Sequence, residues 1–159
     1  MDIAVRMWIH VRQMARTAPR APEPRPTPPA RRAHPEERRR LSGPALRTFF
    51  RIADAWGLDV EAQRALLGWP SRSAFYNWRG GTATLPYDTL VRLSLLLGIY
   101  KALHVLYPDD EFADGWVRMR NTNPLFGDRS PLEVMVQGDV GTLYAVRRLL
   151  DGRRGGDVT

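Results

Sequence analysis

Apolar residues recur at helical spacing through most of this chain, and nowhere do they alternate with period two for long enough to predict a strand. From Leu41 onward, Leu46, Phe49, Phe50, Ala53 and Trp56 form one stripe. Ser42 is placed to cap this helix, Pro44 lies in its first turn and Gly57 is placed to end it. A short second helix follows Asp59, a good N-cap residue, with Ala62, Ala65 and Leu66 apolar and Gly68 as its stop. A third starts at Ser71 and stops at Gly80-Gly81. A fourth begins near Pro86 and carries Leu90, Leu93, Leu96 and Leu97 to Tyr107-Pro108. A fifth covers about 110–119, with Phe112 and Trp116 four apart. Ser130-Pro131 opens another helix, and the last covers about 140–150 with Leu143, Val146, Leu149 and Leu150 apolar. The fold class expected is all-α.

Residues 1–40 read differently. The stretch 16–40 holds seven of the thirteen prolines and has almost nothing apolar to bury, which predicts a disordered arm. Arg6 and Arg12 interrupt the apolar start before a signal-peptide core can form, and Met14-Ala15-Arg16 is as plausible an opening as Met1. The expected organisation is an arm over 1–40, a first helical unit over 41–107 and a second small helical unit over 108–159.

The net charge of +7 suggests a polyanionic partner until it is located. Residues 1–40 carry ten Arg against four acids, whereas 41–159 carry thirteen Arg and one Lys against thirteen acids, so the folded part is close to neutral. Basicity alone therefore does not argue for DNA binding. There is no cysteine, which removes disulfides and thiolate metal sites and suits a reducing compartment. The longest charge-free apolar stretch, Leu93 to Tyr100, falls short of the ~20 residues a bilayer needs. The expectation is a soluble, cytoplasmic protein with no membrane association.

The segment from Asp59 to Gly80 has the shape of a helix-turn-helix: VEAQRALLG, a tight GWP turn, then SRSAFYNWRG. Phe75 and Trp78 face the core with Ala74. Ser71, Arg72, Ser73, Tyr76 and Asn77 are left outward or near the N-terminal end, where such a helix meets the major groove. Arg and Asn have bidentate partners there on guanine and adenine edges. Ser71 is placed to hold a phosphate at the helix N-terminus, and Arg64 and Arg79 to add phosphate contacts. The same pattern also fits an ordinary helical hairpin whose polar face is merely solvated.

Catalytic chemistry has little support. Two of the three histidines, His10 and His34, lie in the arm, and His104 reads as a packing or surface residue. No phosphate loop, paired-histidine spacing or Ser–Gly elbow is present. The acidic run Asp109, Asp110, Glu111 and Asp114 is what a helix start favours. No enzyme activity, cofactor or metal site is expected.

SRSAFYNWRGG resembles the second helix of Xre/Cro-type regulators. The chain after Trp116, with NTNPLFGDRSPLE followed by LYAVRRLLDGRRGG, resembles the toxin-binding domain of the Xre/ParS/MbcA antitoxins, in the form that accompanies RES-domain toxins. Asp128 departs from that pattern, standing where a further glycine is expected. The resemblance implies an antitoxin that covers the active site of an NAD-consuming RES toxin and binds operator DNA to autoregulate its operon. It also implies a homodimer or a higher hetero-oligomer with the toxin. Asn121, Asn123, Arg129, Arg147, Arg148, Arg153 and Arg154 are the toxin-binding candidates. Arg147 and Arg148 are expected to point away from the apolar stripe, and 151–159 to form a flexible basic end. The alternative is a plain helix-turn-helix repressor whose C-terminal helices only dimerise.

Overall fold

The computed structural model describes residues 34–81 and 83–155; residues 1–33 of the arm expected over 1–40, and the chain end over 156–159, lie outside them. The described residues are all-helical: α1 (Pro35–Ala55), α2 (Val60–Leu66), α3 (Arg72–Arg79), α4 (Tyr87–Leu106), α5 (Asp110–Gly115), a 3-10 turn (Trp116–Arg118), α6 (Pro131–Gln137) and α7 (Val140–Arg154).

α1 corrects three expectations. It starts at Pro35, so residues 35–40 are helix and not arm. Proline at the first helical position costs no hydrogen bond, and Glu36 and Glu37 in the first turn favour the helix dipole. Ser42 is not a cap but a buried mid-helix tie. Its hydroxyl donates to the Arg38 carbonyl at 2.6 Å and accepts from the Leu85 N–H at 2.9 Å, fixing the loop before α4. Pro44 sits inside the helix. An interior proline costs about 3 kcal/mol, and complete burial of Leu46 and Phe49 in the same turns, at about 1.5–3 kcal/mol each, offsets it.

α4 organises the molecule. Leu93, Leu96, Ile99 and Leu103 are fully buried, with α1 packed against α4 on one side and α7 on another. By length and apolar content alone α4 would suit a bilayer, but here it is the central helix of a protein core. That core is continuous. Trp56, Leu66 and Phe75 from the first helices belong to the same cluster as Trp116, Phe126, Met135 and Leu143 from the C-terminal part. A hydrogen-bonded tie joins the two ends as well. Arg118, at the end of the 3-10 turn, donates through Nε to the Trp56 carbonyl at 2.7 Å and through Nη2 to the Gly57 carbonyl.

The fifth helix is shorter than expected. It stops at Gly115 and tightens into the 3-10 turn, which buries Trp116 and Val117 while Phe112 stays partly exposed against Tyr107. α7 is longer than expected. It begins at an Asp139 cap and runs through Gly152 to Arg154, so Arg153 and Arg154 lie on its last turn, where cations suit the dipole. Asp151 reinforces this turn by accepting from Arg147 Nε at 2.8 Å and pairing with Arg154 at 3.7 Å.

Candidate functional site

The hairpin of α2 and α3 is held by its turn. Asp59 caps α2 by accepting from the Ala62 N–H at 2.7 Å, and Ser71 caps α3 through the Ala74 N–H at 3.1 Å. Gly68 and Trp69 both take left-handed backbone, at φ 88° and 60°. A side chain on Gly68 would run into Arg92 of α4, 3.0 Å away, so the turn packs as closely as glycine permits. Trp69 is a bulky residue in a conformation that costs about 1–2 kcal/mol, and Arg64 holds it there. The Arg64 guanidinium donates through Nε and Nη2 to the Pro70 carbonyl, at 3.1 and 2.9 Å, and lies 5.7 Å from the Trp69 ring centroid.

Arg64 is thus committed to the turn, with a side chain only 14% exposed. The remaining DNA-binding candidates share the outer side of α3. Phe75 is fully buried, edge-on to Phe50 at 5.9 Å, and anchors the helix. Arg72, Ser73, Tyr76, Asn77 and Arg79 are exposed, with Arg79 resting over the Phe50 ring at 5.6 Å. Ser71 uses its hydroxyl in the cap, on the Ala74 N–H. The hairpin also recruits Glu61, which the sequence reading passed over. Its carboxylate accepts from Arg64 Nη1 at 2.9 Å and from Arg72 Nη2 at 2.8 Å. Its i,i+3 spacing to Arg64 was the available signal; its reach to Arg72 depends on the folded turn.

The second candidate region starts with the loop 119–130. Asn121 and Asn123 build it from within. Asn121 Oδ1 accepts from the Asn123 N–H and Asn123 Oδ1 from the Leu125 N–H, each at 3.0 Å. The Asn121 N–H closes the loop on the Arg129 carbonyl at 3.1 Å. Phe126 is fully buried, edge-on to Trp116 at 5.9 Å. Asp128 takes the left-handed conformation, φ 65°, that a glycine would supply, and Arg120 bonds its carboxylate and its carbonyl. The loop keeps its shape without that glycine because a short polar side chain tolerates this region. Ser130 and Glu133 then form a capping box on α6. The Ser130 N–H and hydroxyl, both 2.7 Å from Glu133 Oε2, hold the Glu133 carboxyl below its ordinary pKa.

On α7 the predicted arginines divide. Arg148 is exposed, and Arg153 and Arg154 are exposed on the last turn. Arg147 is turned inward, contrary to expectation. Its side chain is 14% exposed, its Nε bonds Asp151, and its buried Nη1 lacks a hydrogen-bond partner. The reason lies across the interface, where Gly98 of α4 has no Cβ; one built there would sit 2.2 Å from Arg147 Nη1. Arg147, Asp151, Arg153 and Arg154 line an open groove of ≈ 680 Å³ with Val105 and Leu106 of α4. Arg148 does not line it, and Arg129 lies apart in the loop, bonded to Gln137 at 2.8 Å.

Residues 35–98 match the model of the antitoxin Xre-like helix-turn-helix domain, and residues 101–156 match that of the antitoxin Xre/MbcA/ParS C-terminal toxin-binding domain. The two matches meet inside α4. The chain is 44% identical over 130 residues to a protein of Sinorhizobium fredii named uncharacterized protein y4oB, covering 82% of this chain and 99% of that one. No solved structure matches it.

Proposed function

The chain belongs to the Xre-type antitoxin family, carrying its helix-turn-helix and toxin-binding units in order, and from that premise we propose that it neutralises a RES-type, NAD-consuming toxin by covering the toxin's active site and represses its own operon. The observation that carries the DNA half is the row of exposed side chains on α3, Arg72, Ser73, Tyr76 and Asn77, above a helix anchored by Phe75. Arg72 and Asn77 read base edges, with the α3 N-terminus and Arg79 on phosphates. The protein works without catalysis, in the cytoplasm, and as a homodimer on two half-sites.

The toxin half rests on the C-terminal unit. Arg148, Arg153 and Arg154 present planar cations to acidic groups of the toxin, while Arg129 and the loop built by Asn121 and Asn123 give a rigid second edge. The RES partner is supported by the resemblance of NTNPLFGDRSPLE and LYAVRRLLDGRRGG. Co-expression with the adjacent gene product tests the reading. The two proteins should co-purify, and the complex or the free chain should shift a duplex from its own upstream region in a salt-dependent manner. A chain that shifts this duplex but captures no neighbouring protein would be a plain repressor.

A further inference from the structure

Glu61 stands 2.8 Å from Arg72, the first residue of α3, across the turn of the hairpin. The contact is one-pronged, from Glu61 Oε1 to Arg72 Nη2. An arginine has five N–H donors in a planar fork, so Arg72 keeps a two-pronged edge free while it is held. That edge is the one that matches the O6 and N7 acceptors of guanine. The Arg72 side chain is 68% exposed, which leaves room for a base edge to approach it. Glu61 is itself placed firmly. It lies in the first turn of α2, capped by Asp59, and both its oxygens accept from Arg64 Nη1, at 3.2 and 2.9 Å, an arginine fastened to the Pro70 carbonyl. The chain of contacts runs from the turn through Arg64 and Glu61 to Arg72.

We infer that Glu61 is a specificity-determining positioning residue, which orients Arg72 toward a guanine edge and keeps it from settling on a phosphate. This rests on the DNA-reading function proposed above. The physical argument is a difference between two competitors. A free arginine on the rim of a hairpin pairs with any phosphate it reaches, a contact that carries no sequence information. A carboxylate on one prong costs little when the other prongs take base acceptors, but it repels the phosphate that would otherwise compete. An exposed ion pair of this kind contributes little to stability, so its effect is expected on discrimination rather than on folding.

The test uses the full-length chain as wild type, Glu61→Gln, Arg72→Ala and the double variant, each titrated at several salt concentrations. One duplex comes from the upstream region of its own gene, the other is a scrambled duplex of the same length. Glu61→Gln should reduce the ratio of the two affinities by about tenfold, largely through tighter binding to the scrambled duplex. It should also steepen the salt dependence on that duplex by about one unit, as one more phosphate contact requires. In the Arg72→Ala background the same change should leave the ratio where Arg72→Ala alone puts it. The melting temperature should not move, because Arg64 keeps the Pro70 carbonyl. Specific binding with an unchanged ratio in Glu61→Gln would overturn the inference while leaving the DNA reading intact. Equal loss on both duplexes would also overturn it, as a merely structural role. A wild-type chain that prefers neither duplex would remove the DNA reading and this inference with it.

Discussion

The outer side of α3 and the exposed side of α7 are both arginine-bearing helical surfaces, yet they are built by opposite means. α3 is two turns long, anchored by one fully buried aromatic, and its polar residues stay outside. α7 is four turns long and packs along α4, so an arginine at the edge of its apolar stripe is drawn in. Arg147 lays its guanidinium over Gly98, Nη1 and Cζ being the first atoms a Cβ there would meet. A short helix with one anchor presents its polar residues; a long packed helix consumes some of them. The same division runs through the loop, where Asn121 and Asn123 hold the chain's own backbone while Arg129 remains outward.

The largest expected effect separates the packed region from the presented one. Phe126→Ala should cost about 3–5 kcal/mol of unfolding free energy, because Phe126 is fully buried and its core is continuous with that of the helix-turn-helix. Chemical denaturation should give one transition, shifted as a whole. Tyr76→Ala on α3, where the ring is 54% exposed, should change stability by about 1 kcal/mol or less while weakening DNA binding. Two separate transitions in the Phe126 variant would mean that the two parts do not share a core.

A smaller effect probes the inward turn of Arg147. Gly98→Val should cost about 1–3 kcal/mol by overpacking, and much less in an Arg147→Ala background, since the atoms it meets first belong to Arg147. Additive costs in that cycle would show that Arg147 does not rest on Gly98. Singly, Arg147→Ala should lose about 1–2 kcal/mol through the stem and the Asp151 bond. Arg148→Ala should stay within about 0.5 kcal/mol.

The smallest effect is a pH dependence confined to α6. Ser130 holds the Glu133 carboxyl lower in the folded chain than in the unfolded one. Its contribution is therefore fully present above the ordinary glutamate value of about 4.3 and is lost as the pH falls through the lowered folded value. Amide protection factors at the start of α6 should fall in that acid window, and Glu133→Gln should remove that fall.

The fold was legible wherever one residue type does a local job. Asp59, Ser71 and Ser130 cap where the pattern put them, Gly68 stops α2, and Phe75 faces inward. The start of α1 was hidden because Pro35 and the following Glu and Arg residues continue the composition of the stretch before them, although proline followed by two acids is itself a helix start. Arg64, Arg147 and Glu61 could not be placed from spacing alone. Their partners are a turn carbonyl, a glycine on another helix and an arginine beyond the turn, all of which come together only in three dimensions. The outward residues of α3 were readable because the helix is too short to bury more than one side.

As proposed, DNA is read on α3 and the toxin is bound on the C-terminal unit. Two variants decide it most directly, Arg72→Ala with Asn77→Ala on one side and Arg148→Glu with Arg153→Glu and Arg154→Glu on the other. Each is co-expressed with the adjacent gene product and assayed for growth rescue and for a shift of the upstream duplex. The α3 variant should rescue growth but fail to shift the duplex, with a loss of about 1–3 kcal/mol per base contact. The α7 variant should shift the duplex and fail to rescue. Rescue by the α7 variant, or operator binding by the α3 variant at wild-type affinity, would contradict it.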